Sequence, residues 1–178
     1  MIKMEETLEL PEGFEAEYED GVLTIEGNGD EVSKELNHAL VDVEVEGDEV
    51  VFSTESTKKD IKSILSTFRS HAANIVEGLQ DEHVYKMKGV YAHFPMTLKQ
   101  EKNKVLIENF MGERKPREIR IEEGVTVEVD GEDLTLRGAD KDAVSQSAGR
   151  IEQACHKGDR DPRTFQDGVY ITSRGEEE

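Results

Sequence analysis

Apolar residues recur along this chain with two different periods. A period of two runs through "VEVEGDEVVF" at 43–52 and again through "VEVDGEDLTL" at 127–136, broken each time by an acidic, glycine-containing turn. Two alternating runs about such a turn predict a β-hairpin with one buried face. The stretches lie 84 residues apart and match closely, so the chain reads as one unit written twice. Upstream, "VLTIEGNGDEVSKEL" at 22–36 parallels "VLIENFMGERKPREI" at 105–119, again a strand, a turn and a strand.

Helical spacing follows each hairpin. Ile61, Ile64, Leu65, Phe68, Ala72, Ile75 and Val76 recur at steps of three and four, a stripe that must pack on a sheet, and Gly78 is expected to be the left-handed C-terminal cap. A weaker helix over 140–154 sets Val144, Ala148, Ile151 and Cys155 on one face behind Asp140, with Gly149 inside it. A single strand, "YKMKGVYAHFPMTL", opens the second copy. The expected fold class is α+β: two tandem duplicated domains, 1–82 and 83–178, linked near Asp81 to His83, each a small antiparallel or mixed β-sheet packed with one α-helix. The terminal "GEEE" reads as a frayed tail.

Composition restricts the class further. Hydrophobic content is 35%, aromatics are 6% and Trp is absent, so the core rests on Val, Ile and Leu with a few Phe and Tyr. Cys155, the sole cysteine, excludes an intramolecular disulfide and a thiolate cluster and fits a reducing compartment. No apolar run approaches the roughly 18 residues of a membrane span, and "MIKMEETLEL" lacks a signal-peptide stretch, so a soluble cytoplasmic protein is expected.

Charge divides the halves. The net −19 comes from 41 acidic and 22 basic residues; residues 1–85 carry −16 and residues 86–178 only −3. Residues 99–120 hold seven Lys or Arg against four Glu, the one extended basic segment. An acidic balance opposes nucleic acid when taken alone. It also suits high salt, where a Debye length of about 3 Å at about 1 M leaves surface carboxylates little mutual repulsion.

Catalytic and metal chemistry find little support. His38, His71, His83, His93 and His156 are scattered, with neither a His-x-x-x-His pair nor HExxH, so solvated or satisfied histidines are the simpler reading. The turns "EGDE" and "DGED" lack the order of a calcium loop, and phosphate loops and nucleophile elbows are absent. No metal, cofactor or enzymatic activity is expected.

Two segments carry chemistry. In "ENFMGERKPREIR", 108–120, Arg114, Lys115, Arg117 and Arg120 surround Gly112 and Pro116 between two strands. The matching position of the first copy, "EGNGDEVSKEL", is nearly devoid of cations, a difference that equal demands on stability do not predict. In "CHKGDRDPRTFQDGVYITSR", 155–174, Lys157, Arg160, Arg163 and Arg174 stand near Phe165 and Tyr170. Arg grips phosphate bidentately and aromatic rings stack on bases. The plain alternative, that apolar residues only dock the last strand, is expected to hold for Val169 and Ile171 and partly for Phe165 and Tyr170.

The run R-x-x-R-x-F-x-D-G-V-Y-I-x-x-R from Arg160 to Arg174, with "ENFMGERKPR" and "HFPM", resembles large-subunit ribosomal protein six in its archaeal and eukaryotic form, over essentially the whole chain. The acidity resembles that of halophilic archaeal members. Lys157 stands where the family usually has an apolar residue, and the end is acidic where many members are basic. The resemblance implies a non-catalytic, duplicated protein of the large ribosomal subunit. Its second domain would bind 23S rRNA near the sarcin-ricin loop, with ribosomal proteins near the stalk base, and possible translational GTPases, as neighbours. Carried over by motif, the RNA-facing residues are Asn109, Gly112, Arg114, Lys115 and Arg117, then Arg160, Arg163, Phe165, Gln166, Asp167 and Gly168; Asp167 and Gly168 are expected to set a turn. The competing reading is an acidic adaptor for a basic protein partner.

Overall fold

The computed structural model describes residues 3–175, so all but the glycine of the "GEEE" tail lies outside the described residues. The chain divides into two compact units, Met1–Asp81 and Glu82–Glu178.

In the first unit, strands β1 (Met4–Glu9), β2 (Glu15–Glu19), β3 (Val22–Gly27), β4 (Asp30–Glu35), β5 (Asp42–Glu46) and β6 (Glu49–Thr54) precede helix α1 (Lys59–Gln80). They form two antiparallel sheets, ordered β1-β6-β5 and β2-β3-β4. Alternation places Leu23, Ile25, Val50 and Phe52 inside, where Ile61, Leu65, Ala72 and Ile75 of α1 also lie buried. Gly78 is not the cap of α1. Leu79 is buried and prolongs the apolar stripe, so the helix continues to Gln80, and Asn28 Nδ2 donates to the Leu79 carbonyl at 2.8 Å.

The second unit repeats the scheme with β7 (His83–Val90), β8 (Thr97–Glu101), β9 (Lys104–Glu108), β10 (Arg117–Arg120), β11 (Thr126–Asp130), β12 (Asp133–Gly138) and α2 (Lys141–Ala154), then adds β13 (Gly168–Ser173). Its sheets run β10-β9-β8 and β11-β12-β7-β13, all antiparallel. The duplication extends to single bonds. Gly47 and Gly131 share a φ of 62° in the two hairpin turns, and Leu10 N donates to Asp48 O as Gly89 N donates to Glu132 O, each at 2.7 Å.

The expected single strand from Tyr85 to Leu98 is interrupted. Pro95 lies in a connection over 91–96 that carries the chain from the β7 sheet to the β8 sheet, and a proline cannot donate to a ladder. Leu134, Leu136, Ile107, Phe110, Val144, Ala148, Ile151 and Val169 form the core of this unit. Asp140 caps α2, its carboxylate accepting from Asp142 N at 2.9 Å. Among the described residues no helix is long and apolar enough to cross a membrane.

Candidate nucleic-acid interface

The first basic loop, between β9 and β10, is a left-handed turn built on a buried anchor. Asn109, Met111 and Gly112 have φ of 60°, 48° and 78°, while Phe110 between them is fully buried. Asn tolerates this region better than most L residues, and Asn109 Nδ2 ties the turn to the preceding connection by donating to Pro95 O at 3.0 Å. Gly112 is favoured twice over, since its φ is unfavourable for L side chains and a Cβ would stand 3.0 Å from the Phe94 ring, which would have to shift.

Arg117 fastens this turn to the protein. Its guanidinium lies 4.3 Å from the Phe110 ring centroid, its Nε and Nη2 donate to the two Glu113 carboxylate oxygens at 2.8 and 2.7 Å, and its Nη1 donates to the Ala154 carbonyl at the end of α2. This bidentate fork is the strong geometry for an ion pair. The Arg117 hydrogen bond, with Lys157 helping, holds the Glu113 carboxyl below the usual carboxylate range. Arg114, Lys115 and Pro116 stand exposed at the tip, and no ion pair of Arg114 is present among the described residues.

The second loop, between α2 and β13, is organised by Asp161. Its Oδ1 accepts from Arg163 N at 2.9 Å and Arg163 Nε at 3.2 Å, and its carbonyl accepts from the Thr164 and Phe165 amides. This is the Asx chemistry by which aspartate stabilises turns. Arg163 still leaves 90% of its side chain exposed. Arg160 lies over the Phe165 ring, 4.8 Å from its centroid, and Phe165 is 42% exposed, so both present faces to solvent. Gln166 is exposed and its carbonyl accepts from the Tyr170 hydroxyl at 2.8 Å. Asp167 is half-buried; Gly168 is buried opposite Val90, with the Tyr170 ring where a Cβ would point. Val169 is buried in the core and Ile171 packs against it.

The loops meet. Lys157 Nζ lies 3.6 Å from Glu113 Oε1, and Met111 joins Cys155, Lys157, Arg160, Phe165 and Tyr170 around a depression of about 40 Å³. That volume has room for no more than a few waters, so the surface is a shallow contact area and not a small-molecule pocket. Cys155 beneath it is pushed up to about 11 by burial and stays a neutral thiol. Arg174 is exposed just past β13. No group of three His, Cys, Asp or Glu is placed to hold a metal among the described residues.

The sequence-derived residues thus separate by position. Arg114, Lys115, Arg160, Arg163, Phe165 and Gln166 face solvent, while Asn109, Gly112, Arg117, Asp167 and Gly168 shape the loops. The sequence reading overlooked Glu113, Asp161 and Phe94. Spacing gave no signal for the first, because an i,i+4 pair marks a contact on a helix and Glu113 and Arg117 pair across a loop. Phe94, 47% exposed against Gly112, was hidden by assigning it to a strand.

Residues 94–168, which contain both loops, match the family model described as Ribosomal protein L6. Similar curated proteins include the large ribosomal subunit protein uL6 of Haloarcula marismortui, 42% identical over 94% of this chain and 94% of its own. Those of Methanospirillum hungatei, 37% identical over 99% of this chain and all of its own, and Methanocella arvoryzae, 40% identical over 94% of this chain and 95% of its own, carry the same name.

Proposed function

Because the chain belongs to the ribosomal protein L6 family, we propose that it is a structural constituent of the large ribosomal subunit, working in the cytoplasm, and that its second unit holds large-subunit rRNA through the joined loops 109–117 and 156–167. The observation that carries this reading is the bridge between the loops: Glu113 binds Arg117 and Lys157 together, and Met111 of the first loop lines one depression with Lys157 and Arg160 of the second. Arg114, Lys115, Arg160 and Arg163 supply directed hydrogen bonds to phosphate, and Phe165, backed by Arg160, offers a stacking face. Asn109, Gly112, Arg117 and the Asp167-Gly168 pair hold that surface in shape. Neighbours in this reading are ribosomal proteins near the stalk base, with the contact close to the sarcin-ricin loop and the site where translational GTPases land.

The acidity of the chain agrees with such a role. Counterion release contributes little at high salt, because affinity falls steeply with salt for every phosphate neutralised. A binder working there keeps cations whose hydrogen bonds are directional and relies on shape and 2′-hydroxyl contacts for the rest. The test is the double charge reversal Arg114→Glu with Arg163→Glu, both at exposed tips. Incorporation into large subunits is expected to fall by at least about tenfold, as for loss of one or two charge-assisted contacts, with an unchanged circular dichroism spectrum. Unchanged incorporation would overturn the assignment.

A further inference from the structure

The two units differ at one edge, and the difference points to a partner. β1 and β7 hold the same place in their sheets, each beside the second strand of the repeated hairpin. β7 has a strand on both sides, β12 and β13, whereas among the described residues β1 pairs only with β6 and ends its sheet.

The bonding phase of that edge follows from the ladder. Leu10 N donates to Asp48 O, so Leu8, Glu6 and Met4 bond toward β6 in turn, while the N–H and C=O groups of Glu5, Thr7 and Glu9 point away from it. Arg69 Nε of α1, reaching Thr7 O at 3.1 Å, agrees with that phase. A carbonyl has a second lone pair, so this bond does not close the edge. By the shared Leu10 and Gly89 bonds, the β7 residues equivalent to Glu5, Thr7 and Glu9 are Val84, Lys86 and Lys88. In the second unit it is this edge that β13 occupies, with Tyr170 opposite Lys88 and Thr172 Oγ1 bonded to Lys86 O.

We propose that β1 receives an added strand from another polypeptide, one whose side chains beside Glu5 and Glu9 are Lys or Arg. Charge selects that occupant. The exposed face of this sheet carries Glu5, Glu9, Asp42, Glu44, Glu46 and Glu49, and Lys3, paired with Glu5 at 2.7 Å, has its pKa raised by that Glu5 hydrogen bond and by the carboxylates around it. A second copy would set acidic strands side by side, which is unfavourable, and RNA is repelled. An extended basic segment gains main-chain bonds along the edge and a salt-bridge row across it, the manner of β-augmentation. The surface belongs to the first unit and shares no residue with the loops of the second, so the failure of one assignment leaves the other standing.

The test uses the full chain and the peptide acetyl-Lys-Val-Lys-Val-Lys-Val-Lys-amide, reading backbone amide exchange. The expected result is slowing of about tenfold or more at Glu5, Thr7 and Glu9, none with a peptide carrying Pro in place of the central Val, and loss of the effect in Thr7→Pro. That variant removes an edge donor but no bond to β6. Equal slowing by the Pro peptide would mean charge attraction alone and overturn the proposal. So would no slowing at saturating peptide, or protection that grows with protein concentration when no peptide is present, the mark of a second copy.

Discussion

Arg117 is a phosphate-binding residue by sequence pattern and a structural clamp by position. Its fork is spent on Glu113 and Ala154, and its face on Phe110. Arg117→Ala is expected to destabilise the second unit by about 2 kcal/mol, a sum of charge-assisted hydrogen bonds and a cation–π contact, read by urea unfolding. Arg117→Lys should recover only part, because an ammonium cannot reproduce the planar fork. The contribution has a pH window. Glu113 has a folded pKa lowered from 4.5, first by the Arg117 hydrogen bond, so its share of the stability is complete above 4.5 and is lost as pH falls through the lower folded value. The gap between wild type and Arg117→Ala should therefore narrow below pH 4.5; a gap constant with pH would refute the clamp.

Elements differ in how they are terminated. Asp140 caps α2, but Lys58 at the N-cap of α1 has extended backbone and no side-chain bond to the helix. Lys58→Ser should raise the stability of the first unit by about 1 kcal/mol, measured by denaturant midpoint; a lower midpoint would show that Lys58 has a partner worth more than a cap. The repeated hairpins, the two strands upstream of each and both helices were legible in the sequence because their periods are local and one face is buried; β1 and β2 were not read, and β7 and β8 were run together. Division of each unit between two sheets was not legible, because alternation marks a buried face but not the partner strand. The end of α1 was misread for a similar reason: Gly78 resembles a cap until Asn28, 51 residues distant, is seen to bind the Leu79 carbonyl. At the site, the exposed tip Arg114 was legible from charge contrast between copies, and Arg163 from the run of arginine and aromatic residues before the last strand. The inward role of Arg117 depends on Ala154, 37 residues away, which no spacing reveals.

At the scale of the whole molecule, duplication and charge act together. The first unit has 6 basic and 21 acidic residues, the second 16 and 20, on related scaffolds. Self-repulsion therefore weighs on the first unit, and screening relieves it. Ellipticity should fall on dilution from molar to millimolar salt, with amides of residues 3–81 losing protection before those of the second unit; a flat response would contradict salt adaptation. The central claim is that related scaffolds serve different neighbours and that only the second grips rRNA. Ultraviolet cross-linking of intact large subunits followed by peptide mass mapping tests it most directly. The account predicts nucleotide adducts within 109–117 and 156–167 and none on the sheet face formed by β1, β6 and β5. Adducts concentrated on that acidic face, with the two loops unmodified, would contradict it.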